Sequence, residues 1–209
     1  MREDVQVAEG RRRTEADTAS RILDVAERLV QLRGFNGFSY ADVAAELSIT
    51  KASLHYHFAG KAELGEALID RYAARFLDAL AAIGTRPTKA LAKLDAYAKL
   101  YADVLRGKRM CLCGMLAAEY QTLPKPMRNA VIGFFDDNEA WLEKVLVQGR
   151  EEGTLEFTGS ARDAARLIVS SLEGAMLVAR PYGDLARFQA AADRLLSSLK
   201  IPAPMGLTH

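Results

Sequence analysis

The stretch from Ser39 to Phe58 constrains the fold of this chain more than any other. Ser39 stands three residues before Asp42. At that spacing a hydroxyl caps the third amide of a helix and an acidic side chain returns to the capping residue's own N–H. Val43, Ala44 and Leu47 follow at helical intervals. After a turn at Leu47 to Ile49, Thr50 caps a second short helix that ends near Phe58. Leu54 and Phe58, four apart, share a buried face with Ile49. A capped helix of about two turns, a tight turn and a second helix are helix-turn-helix proportions.

The rest of the chain follows the same period. Ile22, Val25, Ala26, Leu29 and Val30 place an earlier helix between Thr14, at capping-box spacing from Asp17, and Gly34, where "GFNGF" interrupts it. A long helix follows "AGK", from about Lys61 to Ile83. Beyond "GTRP" the pattern predicts helices at roughly 88–106, 111–122, 126–152, 160–180 and 184–199. Breaks fall at Gly107, at Pro124 to Pro126, in "EEGTLEFTGS" and in "RPYGD". "TLEF" is too short to count as a strand, and no repeat or low-complexity segment is visible. Half of the residues are apolar and 26% charged, a globular profile. The expected fold is therefore all-α with about nine helices: a three-helix helix-turn-helix domain at 14–60 and a helical domain at 61–209. Residues 1–13, charged and without period, read as a disordered basic tail.

Bulk charge says little, since the net charge is +1. Its distribution says more. No acidic residue occurs from Leu47 to Ala62, a window that holds Lys51 and Lys61. A local field of this kind can meet phosphate without a basic chain around it. In a helix-turn-helix the second helix enters the major groove. Its outward set here is Thr50, Lys51, Ser53, His55, Tyr56 and His57, short, uncharged or basic, and rich in donors. Ser39, Tyr40 and Lys61 complete the candidate DNA contacts, together with Arg11, Arg12 and Arg13. That arginine run reads equally as a backbone-gripping arm or a solvated tail. Tyr56 taken alone also reads as a half-buried surface aromatic. His55 and His57, two apart on a helix, point to different faces and do not make a metal site.

At this point the sequence resembles the tetracycline-repressor (TetR) family of one-component regulators. The resemblance runs from Ile22 to Leu64, through the Gly34–Phe35 turn, the capped Ser39 to Val43 segment, and Ile49, Thr50, Leu54, His55, Tyr56, His57, Phe58, Lys61 and Leu64. Two positions depart from the family pattern. Ser48 stands where the family usually has Gly, and a positive φ there would strain it. His55 stands where the family usually has a phosphate-binding Tyr; a neutral His can donate one hydrogen bond, with a possible pH dependence.

After Leu64 the resemblance weakens, and it implies a variable sensor domain. The apolar stock of residues 88–152 is mostly core, and the resemblance implies that some of it lines a ligand cavity. The candidates are Tyr97, Tyr101, Met110, Cys111, Met115, Glu119, Phe134, Asn138 and Trp141. "CLCGMLAAE" is similar to the sixth-helix segment of a branch in which some members sense electrophiles or oxidants through a cysteine at the position of Cys111. The alternative is that Cys111 and Cys113 are small buried hydrophobes. The last two helices carry Ile168, Ser171, Leu172, Ala175 and Ala179, then Phe188, Ala192, Leu195 and Leu199. Such stripes are commonly internal core, and the resemblance makes them a homodimer interface presenting two reading helices to a palindromic operator.

The implied function is a ligand-responsive regulator, most naturally a repressor released by a small-molecule effector, with redox sensing through Cys111 as the alternative. Two cysteines cannot supply a disulfide framework or a four-ligand zinc site. No phosphate loop or nucleophile elbow is present, so no cofactor and no catalytic residue is expected. The N-terminus lacks the apolar core of a signal peptide, and no run of about 18 apolar residues occurs, so a cytoplasmic, nucleoid-associated protein is expected.

Overall fold

The computed structural model describes the backbone of residues 2–200 and the side chains of residues 15–200. Nine α-helices follow one another among the described residues: α1 (Arg2–Arg33), α2 (Tyr40–Leu47), α3 (Lys51–His57), α4 (Lys61–Gly84), α5 (Ala90–Arg106), α6 (Leu112–Ala118), α7 (Lys125–Glu151), α8 (Ala161–Ala179) and α9 (Leu185–Ser197). Single 3₁₀ turns lie at Tyr120–Thr122 and Arg180–Tyr182. The "TLEF" segment contributes one isolated bridge, Leu155 with Lys200. Helices α1, α4, α5, α7 and α8 end at, or within two residues of, a Gly or Pro, whereas α6 stops at Ala118, short of the expected 122. The start of α1 also differs. The helix expected to start at Thr14 is continuous from Arg2, so residues 2–13 extend α1 instead of forming a disordered tail. Apart from Gly10, that segment holds no helix breaker.

The chain falls into two compact units that do not divide at residue 60. The first comprises Met1–Tyr72 with Leu112–Val131, and the second Ala73–Cys111 with Ile132–His209. The first thus gains the start of α4, all of α6 and the start of α7. The physical reason lies in its short helices: α2 and α3 are too short to hold structure alone. Their apolar sides, Val43, Ala44, Leu54 and Phe58, are buried with Ile22, Ala26, Leu29 and Val30 of α1 and with Leu64 and Leu68 of α4. Arg71 of α4 reaches α1, pairing with Asp24 at 2.8 Å and Glu27 at 3.0 Å.

In the second unit α8 packs on α9 and on α5. Lys93, buried on α5, donates to the Gly84 carbonyl at the end of α4 and to Gln148 of α7, each at 3.0 Å. The stripe expected as an interface turns inward here. Ile168, Leu172, Ala179, Phe188, Ala192 and Leu199 are buried within the unit, and Ser171, Ala175 and Leu195 are half-buried. The outward stripe of α8 lies one residue over, at Leu167, Ser170, Gly174, Leu177 and Val178, with Tyr182 beyond it.

Ser48 caps α2 in the left-handed conformation, φ 55° and ψ 40°, as its replacement of a glycine foretold. That conformation brings the Cβ of an L residue against the following carbonyl, at a cost of about 1 kcal/mol. Ser48→Gly is expected to raise unfolding stability by about 0.5–1 kcal/mol in chemical denaturation, the gain reduced by glycine's larger unfolded entropy.

Candidate functional site

The reading head is assembled by caps. Ser39 accepts from the Asp42 amide, while its own N–H donates to Asp42 Oδ2 at 2.7 Å, a complete capping box. The Ser39 hydroxyl also donates to Asp42 Oδ2, at 2.6 Å, and this bond, with that from the Ser39 amide, holds the Asp42 carboxyl below its ordinary value. Thr50 Oγ1 accepts from the Ser53 amide at 3.1 Å and starts α3. Leu54 is fully buried and Phe58 nearly so, which turns Lys51, His55 and Tyr56 to solvent, with Ser53 and His57 half-exposed. Tyr56 is 70% exposed, too open for a packing role, and its ring meets that of His57 edge-on at 5.2 Å. Phe38, Ser39, Tyr40, Ala41, Lys51, His55 and Lys61 line a hollow of about 400 Å³ beside α3. It can seat a backbone phosphate between the start of α2 and Lys51.

Two of the expected DNA contacts do a different job. Lys61 Nζ donates to the carbonyls of Phe35 and Phe38 and lies 4.7 and 4.3 Å from the centres of their rings. Its ammonium is thus committed to the α1–α2 turn, and burial holds its pKa below the ordinary lysine value. The Tyr40 hydroxyl donates to the Phe58 carbonyl at 3.0 Å, tying α2 to the end of α3; burial, then the Glu63 charge, push its pKa up to about 12. Glu119, expected in a ligand cavity, lies in the first unit. Its carboxylate accepts from the amides of Phe35, at 2.6 Å, and Asn36. A Cβ on Gly34, whose φ is +83°, would stand 2.6 Å from Glu119 Oε1. The turn before α2 is therefore clamped by a cation on its carbonyls and an anion on its amides. The side chains of Arg11, Arg12 and Arg13 lie outside the described residues.

His55 Nδ1 donates to the Ala59 carbonyl at 3.1 Å, and its ring lies 4.9 Å from that of Tyr40. A carbonyl only accepts, so in neutral His55 the single ring proton is already used and Nε2 is bare. The expectation that a neutral His55 donates to phosphate is corrected by this bond. Only the imidazolium offers Nε2–H outward.

In the second unit, five of the expected ligand residues converge. Tyr97 stacks on Trp141 at 5.7 Å, and Phe76 meets Tyr97, Tyr101 and Phe134 edge-on at 5.2 to 6.2 Å. The Tyr97 hydroxyl donates to Asn138 Oδ1 at 3.0 Å and shares a 3.1 Å hydrogen bond with Tyr101; Asn138 Nδ2 donates to the Phe134 carbonyl. Met110 and Cys111 are buried in the same unit, whereas Met115 lies on α6 in the first. Sequence reasoning missed Glu173 of α8. Burial, and after it the charge of this residue, raises the pKa of both tyrosines, and it accepts a hydrogen bond from the Cys111 thiol. Burial pushes its own carboxyl up to about 7. Within the sequence it is one charged residue in an otherwise small and apolar helix segment, "SSLEGAMLVA", and that anomaly was the available signal.

Glu119→Ala removes a charged acceptor from two amides and is expected to cost about 2 kcal/mol in urea denaturation, with weaker DNA binding. Glu173 binds its proton more tightly folded than unfolded. Its stabilising contribution is therefore complete below pH 4.5 and lost as pH rises through about 7, and Glu173→Gln is expected to remove this decline from thermal melts.

Comparison with known proteins fits this geometry. Residues 22–68 match the family model described as bacterial regulatory proteins, tetR family, and residues 90–195 match tetracyclin repressor-like, C-terminal domain. The HTH-type transcriptional repressor NemR of Escherichia coli is 27% identical over 197 residues, which are 91% of this chain and 98% of NemR. A TetR-family regulator of known structure from Agrobacterium tumefaciens is 32% identical, with a TM-score of 0.87 over 90% of this chain and 100% of that one. The reduced form of Escherichia coli NemR shares the fold at 24% identity, with a TM-score of 0.77 over 89% of this chain and 99% of that one. These relatives are regulators and not enzymes. The chain belongs to the TetR family of DNA-binding transcriptional regulators.

Proposed function

We propose that this protein is a ligand-responsive repressor that binds a palindromic operator as a homodimer and is released by a small-molecule effector. The observation that carries the reading is the outward face of α3. Lys51, His55 and Tyr56 stand exposed on a helix whose every other side is held by caps and core. Lys51 and the imidazolium of His55 grip phosphate, while Thr50, Ser53, Tyr56 and His57 reach base edges. The exposed stripe of α8, Leu167 to Val178, supplies the apolar self-complementary face that a two-fold dimer needs. The effector binds among the aromatic side chains of α4, α5 and α7. Effector and operator then oppose each other with one reciprocal coupling energy. Such a repressor acts in the cytoplasm, on the nucleoid.

The redox alternative rests on Cys111. Its thiol is 2% exposed and donates to a carboxylate, a setting that disfavours thiolate. Cys111→Ser is therefore expected to keep effector-driven release, and release lost in that variant would favour the redox reading.

Gel shift of the DNA upstream of the gene tests the function; no shift with any palindrome there overturns it. Lys51→Ala is expected to reduce the salt slope of binding by about one. Leu177→Arg is expected to give monomers in sedimentation and to abolish tight operator binding, and a persistent dimer would refute the assigned face.

A further inference from the structure

The second unit holds a polar atom with no partner. Oε1 of Glu173 is buried and makes no hydrogen bond among the described residues, although the residue as a whole is half-buried. A carboxylate removed from water without a partner costs several kcal/mol, so cores rarely retain one. Two influences act on its ionisation: burial and the single hydrogen bond from Cys111, and no basic side chain is among them. The groups coupled to it carry no positive charge. Tyr97 and Tyr101 feel its field, and Tyr97 also feels that of Glu139.

The two tyrosines that feel its charge belong to an aromatic cluster. Phe76, Tyr97, Tyr101, Phe134 and Trp141 form one connected set of rings, with the two tyrosine hydroxyls already satisfied by each other and by Asn138. Ring faces attract cations, and a desolvated carboxylate attracts them more strongly. An anion would meet uncompensated negative charge. A neutral donor would satisfy Oε1 but leave the charge unpaired.

We propose that Glu173 is the anchor of a binding site for an organic cation, a protonated amine carried on an aromatic or apolar body that packs against this ring set. The amine N–H takes Oε1, the apolar body takes the rings, and Cys111 keeps its place on the second oxygen. This names the effector class of the site and rests on the effector reading above. Binding pairs the buried charge, so the amine is held more tightly as pH rises through about 7, where Glu173 loses its proton. Tyr97, Tyr101 and Cys111 are the titratable groups linked to it, and Glu139 acts on Tyr97.

Trp141, the one tryptophan of the chain, stacks on Tyr97 and reports directly on the site. Phenethylamine, phenethyl alcohol and phenylacetate are titrated into the full-length protein with Trp141 fluorescence as the readout. The amine is expected to bind saturably and about tenfold more tightly than the alcohol, with phenylacetate weakest. In Glu173→Gln the preference for amine over alcohol is expected to vanish while the melting temperature stays equal or rises. Cys111→Ala, which leaves the carboxylate in place, is expected to keep the preference. Alcohol or phenylacetate binding as tightly as the amine, a preference that survives in Glu173→Gln, or no saturable amine binding overturns the assignment. A gel shift with the same ligands separates this from the repressor reading. Amine binding at Trp141 without operator release refutes the effector role and leaves the cation site standing. Operator release by a ligand that binds Glu173→Gln equally well refutes the site and leaves the repressor standing.

Discussion

The reading head depends on one short turn, Gly34 to Phe38, held from two sides. Lys61 takes its carbonyls and Glu119 its amides. Helices as short as α2 and α3 have no stability of their own, so the direction in which they leave α1 must be imposed from outside. The clamp imposes it with opposite charges on opposite ends of the peptide dipoles. Gly34 is required because any side chain there would occupy the place of the Glu119 carboxylate. The caps at Ser39 and Thr50, and the Tyr40 bond to Phe58, then carry the fixed direction forward to α3.

The same side chains show why residues that look like DNA contacts can be structural. Lys61 sits in a window free of acidic residues, and a lysine there invites assignment to phosphate. Its amine instead replaces water on two carbonyls and lies over two rings. Lys51, by contrast, stands exposed on α3. His55 sits between these cases: its ring is anchored by one nitrogen, and the other becomes a donor only on protonation.

The second unit is organised around a different conflict, polar atoms within an aromatic core. Tyr97, Tyr101 and Asn138 resolve it among themselves, each hydroxyl and amide finding a partner within 3.1 Å. Glu173 does not. Its Oε1 is buried without a hydrogen-bond partner among the described residues.

Helix positions, caps and the motif were legible in the sequence because they are set locally. Ser39 with Asp42, Thr50, Gly34 and the positive φ of Ser48 each follow from backbone chemistry within a few residues. Tyr97, Tyr101, Phe134 and Trp141 are singled out on the family resemblance as cavity lining, while Phe76, whose ring meets three of the cluster's rings, is not. What the sequence could not determine was which partner each side chain meets across the fold. Glu119 lies 84 residues from the amide it binds. The inward and outward stripes of α8 are both apolar, and only the packing of α5 and α9 decides which is core. Periodicity identifies a face; its neighbour is chosen by three-dimensional packing, because burial and charge pairing are properties of the folded chain and not of any segment in it.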